Sequence, residues 1–374
     1  MSQHPLEWDE ETLYVQGDAY FAGLLKGIDE AQLTIEMETY IFEKGLLADR
    51  VVSHLIQATK RGVRVRLIVD GWGSPTFVHD YLGTLKSHGI KVRFFRVIPW
   101  LLHRLPGDPQ SFWRRFVLRF RRVNRGNHRK FCLIDNLDLW VGSFNVSDVH
   151  LTEVQGEHAW KDLGVHVRGR ELRYARRAFM RAYRGWKALN LPSRSPRLLL
   201  LNDSYGHKRR TRRSHIQNLK TAQERIWLAT PYFVPVGLVM RILLRKAKEG
   251  VDVRLIVPRE NDVKLVQWMS LPLLRTLARG GVKVYIFSPR FSHQKLFIAD
   301  EFMCIGSTNL NHRSFLHDLE MDVVITHDDN KRRLLAGYST DQSLSQPFDE
   351  GQWSRLPLLV RWMSSVFLLA KYWA

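Results

Sequence analysis

Four segments from the first half of this chain recur in its second half, in the same order. AQLTIEMETYIF from Ala31 matches AQERIWLATPYFV from Ala222, and GVRVRLIVDG from Gly62 matches GVDVRLIVPR from Gly250. GIKVRFF from Gly89 matches GVKVYIF from Gly281, and HRKFCLIDNLDLWVGSFN from His128 matches HQKLFIADEFMCIGSTN from His293. Self-similarity on this scale means one structural unit used twice, which constrains the fold more than any local propensity. The offsets between copies are 191, 188 and 192 residues for the first three pairs and 165 for the last. The first copy therefore carries about 27 additional residues between Phe95 and His128.

Each copy reads as alternating helix and strand. Short β-branched runs such as VRVRLIV and KVYIF follow stretches of helical period such as Leu46 to Lys60 and Val239 to Lys248. Apolar runs separated by helices predict strands buried on both faces. The expected fold class is α/β: two duplicated units, each a mixed, largely parallel sheet flanked by helices. NLPSRSPR, residues 190–197, marks the hinge between them. The predicted organisation is a first unit over 1–192 with a basic aromatic insertion at about 96–125, a second unit over 193–354, and an amphipathic C-terminal helix over 355–374.

The chemistry lies in the fourth repeated segment. Both copies contain His-x-Lys-x4-Asp followed by Gly-Ser-x-Asn. The first set is His128, Lys130, Asp135, Gly142, Ser143 and Asn145; the second is His293, Lys295, Asp300, Gly306, Ser307 and Asn309. Strand alternation places His and Lys on one face. A Gly-Ser-x-Asn turn after the next strand returns an amide and a hydroxyl toward them. Imidazole, ammonium and amide groups together suit a phosphoryl group: the cation and amides neutralise oxygens, and imidazole attacks phosphorus or moves a proton. One such motif carries little weight; two, each inside a duplicated unit, carry much more.

On these residues the chain resembles the phospholipase D superfamily, from about Gly17 to Ser354. Further matches, Thr39-Tyr40-Ile41-Phe42, Asp70-Gly71-Trp72-Gly73-Ser74 and Arg313-Ser314-Phe315 among them, resemble the short bacterial cardiolipin synthases that lack N-terminal transmembrane helices. The resemblance implies one active site at the interface of the two phospholipase D-like units, working without metal or other cofactor. One histidine becomes a phosphohistidine and the other serves as general acid and then base, with His128 favoured as nucleophile. The two motifs, including Asp135 and Asp300, form the catalytic set, with the two aspartates organising local structure. Asn145, Asn309, Ser143 and Ser307 are the expected phosphate-binding residues. The resemblance also implies an acid on the following strand orienting each histidine; the matching positions are Asp162 and Glu320. Asp162 lies 34 residues after His128 and Glu320 lies 27 after His293. Copy two also has five residues between Asp300 and Gly306 where copy one has six between Asp135 and Gly142, which predicts a shorter connection.

Charge narrows the substrate. Lysine and arginine total 57 against 37 acids, a formal net charge of +20, which calls for an anionic partner. From Lys91 to Arg125 there are nine arginines, one lysine and a single acid, Asp108. On a helical wheel Phe112, Trp113, Phe116 and Phe120 share one arc, with Arg114 and Arg115 on the opposite one. A basic amphipathic helix with bulky aromatics suits an anionic lipid interface, so these six residues and Trp100 are the expected membrane contacts. The expected partners are an anionic phospholipid membrane and phosphatidylglycerol as substrate, with nucleic acid disfavoured and oligomeric state open. The implied reaction is phosphatidyl transfer making cardiolipin from two phosphatidylglycerol molecules with release of glycerol. A hydrolase or nuclease of the same superfamily is the alternative, and a non-catalytic membrane scaffold is disfavoured because both motifs are intact.

Two cysteines cannot form a disulfide framework. The acidic N-terminus MSQHPLEWDEE does not read as a signal peptide, and the longest uncharged stretch, Ile226 to Met240, is 15 residues broken by two prolines. The expected location is the cytoplasmic face of the bacterial inner membrane, held peripherally. Cys132 and Cys304 are expected to be inert core thiols, Glu36 and Glu38 are candidates to approach the site from a neighbouring strand, and His103 and His150 are expected at the surface.

Overall fold

The computed structural model describes residues 6–96, 126–184 and 196–367. The membrane contacts expected at Trp100, Phe112, Trp113, Arg114, Arg115, Phe116 and Phe120, together with His103 and the 192/193 boundary, lie outside the described residues.

Among the described residues fifteen strands form two sheets. In chain order they are β1 (Glu10–Tyr14), β2 (Thr34–Thr39), β3 (Arg64–Val69), β4 (Lys91–Phe94), β5 (Phe131–Ile134), β6 (Asp138–Gly142), β7 (Gly164–Arg168), β8 (Leu199–Leu201), β9 (Arg225–Ala229), β10 (Asp252–Pro258), β11 (Lys283–Phe287), β12 (Leu296–Ala299), β13 (Phe302–Gly306), β14 (Met321–Val324) and β15 (Ser345–Pro347). The first sheet runs β1-β7-β6-β5-β2-β3-β4 and the second β15-β11-β10-β9-β12-β13-β14-β8. Apart from β15 the second order is the first read in reverse, so the sequence duplication is a duplication of topology.

Both sheets are mixed, as expected, but not largely parallel. Parallel pairing is confined to β2-β3-β4 and β9-β10-β11, and the other four pairings of the first sheet and five of the second are antiparallel. The reason is local. Each His-x-Lys strand is joined to the next by a hairpin, and a two- or three-residue loop permits only antiparallel pairing. Ile134 pairs with Asp138 and Ala299 with Phe302, leaving three loop residues in the first copy and two in the second. That one residue accounts for the spacing difference between the motifs.

The parallel strands are reached through helices. In the helix Leu46–Lys60, Leu47, Val51, Leu55 and Ala58 are buried on one stripe. The chain then reverses at Gly62, φ +91°, and the equivalent turn after helix Gly237–Lys248 uses Gly250, φ +89°. Both sites have open space around a would-be side chain, so the backbone conformation rather than crowding selects glycine.

The outer face of each sheet is covered by its own helices, while the inner faces share a central core. That core draws Phe131, Leu133, Val165 and Val167 from the first sheet and Ile298, Ile305, Met321 and Val323 from the second. Each such fully buried aliphatic contributes about 1.5–3 kcal/mol by leaving water. Helices Leu172–Arg184 and Asp328–Ser343 lie in this central layer; Phe179, Leu334 and Tyr338 belong to its core. The two units therefore form one packed body rather than two beads on a hinge. Among the described residues no helix is long and apolar enough to cross a membrane. The C-terminal helix Leu358–Phe367 packs along helix Lys264–Arg279 yet leaves Leu358, Leu359 and Trp362 exposed.

Candidate active site

The strands carrying the two motifs enter at the seam between the sheets. Backbone N–H of His128 donates to Leu319 O at 2.9 Å, and that of His293 donates to Lys161 O at 2.8 Å. Leu319 N donates back to Gly126 O and Lys161 N to Phe291 O, both at 2.9 Å. Each motif is thus clipped by main-chain bonds to the segment just ahead of β14 or β7 in the other half. The pairing is related by a pseudo-two-fold, as the duplication requires.

These clips decide which acid meets which histidine. Nδ1 of His128 lies 3.1 Å from Oε2 of Glu320, and Nδ1 of His293 lies 3.0 Å from Oδ1 of Asp162. The sequence associated each acid with the histidine of its own copy; the structure crosses them. Spacing along the chain carries no information about a contact made between halves. With Nδ1 engaged, Nε2 of each ring is left for chemistry.

The two histidines line one pocket of about 600 Å³, together with Asn145, Asn309, Tyr40, Tyr232, Trp72 and Trp160. The lysines lie immediately behind. Lys130 Nζ donates to His128 O at 2.8 Å, and Lys295 Nζ donates to His293 O at 2.8 Å and lies 2.9 Å from His293 Nε2. The rings of Tyr40 and Tyr232 stand 5.4 and 6.0 Å from the respective ammonium groups. Asn145 Oδ1 accepts from Ile41 N at 3.2 Å, which turns its amide NH2 away from that contact.

The electrostatics follow from burial beside like charges. Burial pushes Lys130 down to about 7, helped by Lys295, and burial brings Lys295 to about 8 against the pull of Asp162 and Glu320. Burial and the two lysines hold His128 well below its ordinary value, and burial with Lys295 brings His293 to about 4. Glu320 is raised to about 8 by burial, despite Lys130 and Ser307. Asp162 goes the other way: burial would raise it, but His293 and His150 beside it hold it well below the usual range. A site this short of negative charge is poised to accept an anion.

Several residues singled out in the sequence do not reach the pocket. Asp135 and Asp300 sit in the hairpin turns with φ of +51° and +49°. Asp135 accepts from Gln32 N, Leu33 N and Thr34 N at 2.7–2.8 Å, and Asp300 accepts from Gln223 N, Glu224 N and Arg225 N at 2.8–3.0 Å. They are turn anchors outside the reacting cluster. Ser143 and Ser307, expected to hold phosphate, are fully buried and committed elsewhere. Ser143 Oγ accepts from Leu163 N, while Ser307 Oγ donates to Glu320 Oε2 at 2.5 Å and accepts from Met321 N. The motif glycines serve the same close approach: a Cβ at Gly142 would lie 2.4 Å from Leu163 O, and one at Gly306 2.4 Å from Met321 O.

A buried support stands behind the first motif, and the sequence pointed to Glu38 and Asp70 without their partners. Glu38 accepts a two-pronged contact from Arg129 at 2.9 Å and a bond from Asn127 Nδ2 at 2.7 Å. Asp70 accepts from Asn127 N and from Arg96 Nε, both at 2.9 Å. Glu38 is raised to about 7 by burial, against Arg129. Glu36 instead pairs with Arg66. His150, expected at the surface, is only 1% exposed, because the segment after Asn145 folds back under the pocket. Cys132 and Cys304 are buried free thiols, and burial raises both.

A family model described as the cardiolipin synthase, PLD-like domain matches residues 24–161 and 215–340, one stretch for each half. The chain belongs to this family. A cardiolipin synthase of Geobacillus sp. (strain WCH70) is 28% identical over 371 residues, covering 96% of this chain and 71% of the relative. Cardiolipin synthase A of Pseudomonas fluorescens (strain SBW25) is 28% identical over 338 residues, covering 86% and 66%. Among solved structures, a phosphatidylserine synthase of Haemophilus influenzae Rd KW20 superposes with a TM-score of 0.66 at 14% identity, covering 99% of this chain and 97% of that one. At that identity the match speaks for the fold alone. In this PLD-like family member the matched stretches contain both motifs, Asp162 falls one residue beyond the first, and Glu320 lies within the second.

Proposed function

We propose that this protein is a phosphatidyltransferase that makes cardiolipin from two phosphatidylglycerol molecules. The observation that carries the reading is the pair of imidazoles in one anion-seeking pocket, each backed by a carboxylate from the opposite half. Membership of the cardiolipin synthase family supplies the substrate class.

The steps follow from the geometry. Nε2 of His128, neutral because its basicity is suppressed, attacks the phosphorus of a first phosphatidylglycerol. The bond from phosphorus to the glycerol headgroup oxygen breaks, and His293, bearing a proton on Nε2, delivers it to that oxygen so that glycerol leaves. The phosphatidyl group remains on His128. His293 then accepts the proton from a hydroxyl of a second phosphatidylglycerol, whose oxygen attacks phosphorus and frees His128. One phosphodiester replaces another, so no energy source is consumed. The incoming phosphate draws Lys295 from its contact with His293 Nε2 and raises the affinity of that imidazole for a proton. Lys130, Lys295, Asn145 and Asn309 hold the non-bridging oxygens.

The pocket entrance suits a lipid interface. Trp72 and Val263 line it and are 41% and 42% exposed, and Leu265 beside them is 44% exposed. We place this rim against an anionic bilayer, on the cytoplasmic face of the bacterial inner membrane, with the basic aromatic insertion adding contacts. An apolar mouth also keeps water from the phosphatidyl-histidine, which favours transfer over hydrolysis.

The test is lipid mass spectrometry after incubation with phosphatidylglycerol vesicles, alongside His128→Ala and His293→Ala. Cardiolipin and glycerol from the wild type, absent from both variants, is the expected outcome. Phosphatidic acid alone would identify a hydrolase, and turnover of nucleic acid without lipid products would identify a nuclease.

A further inference from the structure

His150 has no part in the steps above, yet it is buried among the groups that perform them. Its Nε2 accepts a hydrogen bond from Asn145 N at 3.1 Å, so its single proton resides on Nδ1. That Nδ1 stands 3.1 Å from Oδ2 of Asp162, whose Oδ1 meets Nδ1 of His293 at 3.0 Å. The Nδ1 contact falls short of hydrogen-bond alignment and is chiefly electrostatic. Trp160 packs against both rings, with centroids 5.9 Å from His150 and 5.7 Å from His293.

The other half reaches the same end with the side-chain lengths exchanged. Asn309 N donates to Ser314 Oγ at 3.3 Å, five residues on, just as Asn145 N donates to His150. Against burial, the Ser314 side chain in turn lowers the Glu320 carboxylate, again short of hydrogen-bond alignment, and that carboxylate meets Nδ1 of His128 at 3.1 Å. A long brace with a short acid in one half matches a short brace with a long acid in the other. The span from asparagine backbone to imidazole is thereby filled in both.

We infer that His150 is a positioning residue: it braces Asp162 against His293 and ties that pair to the backbone of Asn145, as Ser314 does for Glu320 and His128. The inference rests on the proposed roles of the two motif histidines. The bond from Asn145 N to Nε2 fixes the orientation of the His150 ring. Without the brace the Asp162 carboxylate loses its fixed aim, and His293 loses the partner that stabilises its protonated form.

The experiment compares His150→Gln, His150→Leu, Asp162→Glu and the double variant His150→Ser/Asp162→Glu. Glutamine can accept from Asn145 N and donate to Asp162; leucine fills the space and does neither. The double variant copies the arrangement of the other half. Transfer kcat and KM are measured on phosphatidylglycerol in mixed micelles, with melting temperature as the control for folding. The ring of His293, which faces Asp162, Lys295, Lys130 and Tyr232, is titrated by NMR with labelled histidine. His150→Leu should lose roughly ten- to a hundred-fold in kcat at unchanged KM, the range for outer partners of functional histidines, with the His293 midpoint moved to lower pH. His150→Gln should stay within a few-fold of wild type, and the double variant should exceed Asp162→Glu alone. A folded His150→Gln as impaired as His150→Leu would overturn the brace, as would an unchanged His293 titration in His150→Leu. If His150→Leu does not fold, the glutamine and double variants decide. A wild type that makes no product from phosphatidylglycerol rejects the proposed reaction rather than the brace, which is then judged on the His293 titration alone.

Discussion

Glu320 meets His128 across the seam between the two halves, 192 residues away in the chain, with Oε2 3.1 Å from Nδ1. Asp162 meets His293 in the same way over 131 residues. Neither half alone supplies both a motif histidine and the carboxylate that meets it. A change of acid should therefore act on the motif of the opposite copy. Asp162→Asn should weaken His293 both as the acid of the first step and as the base of the second, so that a phosphatidyl-enzyme still forms, more slowly, and is discharged slowly. Glu320→Gln should prevent the adduct from forming, and each should lower turnover about a hundred-fold. Alkaline quench and intact-protein mass spectrometry read this directly. Adduct in Glu320→Gln but not in Asp162→Asn would reverse the assigned roles.

The motif aspartates should behave as structural residues. Asp135 accepts three backbone N–H bonds at the start of β2, two of them exposed to water, and a bond to a charged acceptor contributes about 1.5–3 kcal/mol net of its exchange with water. Burial would raise Asp300, but its three backbone donors hold it below the ordinary carboxylate range. Asp135→Ala should cost about 2–3 kcal/mol in denaturant unfolding while leaving kcat of the folded fraction within a few-fold of wild type. Lost kcat at full stability would place Asp135 in the chemistry after all.

These outcomes mark how far the sequence could be read. The duplication, the alternating elements and the two His-x-Lys strands were legible because each is a local pattern repeated at a fixed offset. The pairing of acids was not, since it is made by backbone bonds such as His128 N to Leu319 O that no spacing encodes. Ser143 and Ser307 misled for a related reason: a serine beside a catalytic strand has the same sequence signature whether it faces a ligand or ties two strands together. His150 and Ser314 were invisible as a pair because they differ in type. Only their shared five-residue offset from Asn145 and Asn309 could have suggested equivalence.

Alkaline pH should weaken substrate capture before it weakens chemistry. Burial brings Lys130 to about 7 and Lys295 to about 8, so in the empty site their charge is present below this range and lost as pH rises through it. A bound phosphodiester favours the protonated ammonium and moves both upward. The alkaline limb of kcat/KM should therefore lie near pH 7–8, and that of kcat at higher pH. A kcat/KM that stays flat to about pH 10 would show that the lysines keep their charge in the empty enzyme.

The rim of the pocket offers the last test. Leu265 is exposed next to Val263 and Val266, which line the entrance, and Leu358 and Leu359 are exposed on the helix packed along Lys264–Arg279. A leucine moved from water into the acyl boundary contributes about 1.5–3 kcal/mol, so each Leu→Ser change should weaken vesicle partitioning roughly ten-fold or more. None of the three is among the residues lining the pocket, so turnover of a short-chain, fully soluble phosphatidylglycerol should be unaffected in Leu265→Ser, Leu358→Ser and Leu359→Ser. Co-sedimentation with anionic vesicles and activity on both substrates separate binding from catalysis. If partitioning is unchanged in all three, the bilayer does not touch this face and the basic insertion must carry the contact. If only Leu358→Ser and Leu359→Ser lose binding, the terminal helix is the anchor and the pocket rim stands clear of the surface.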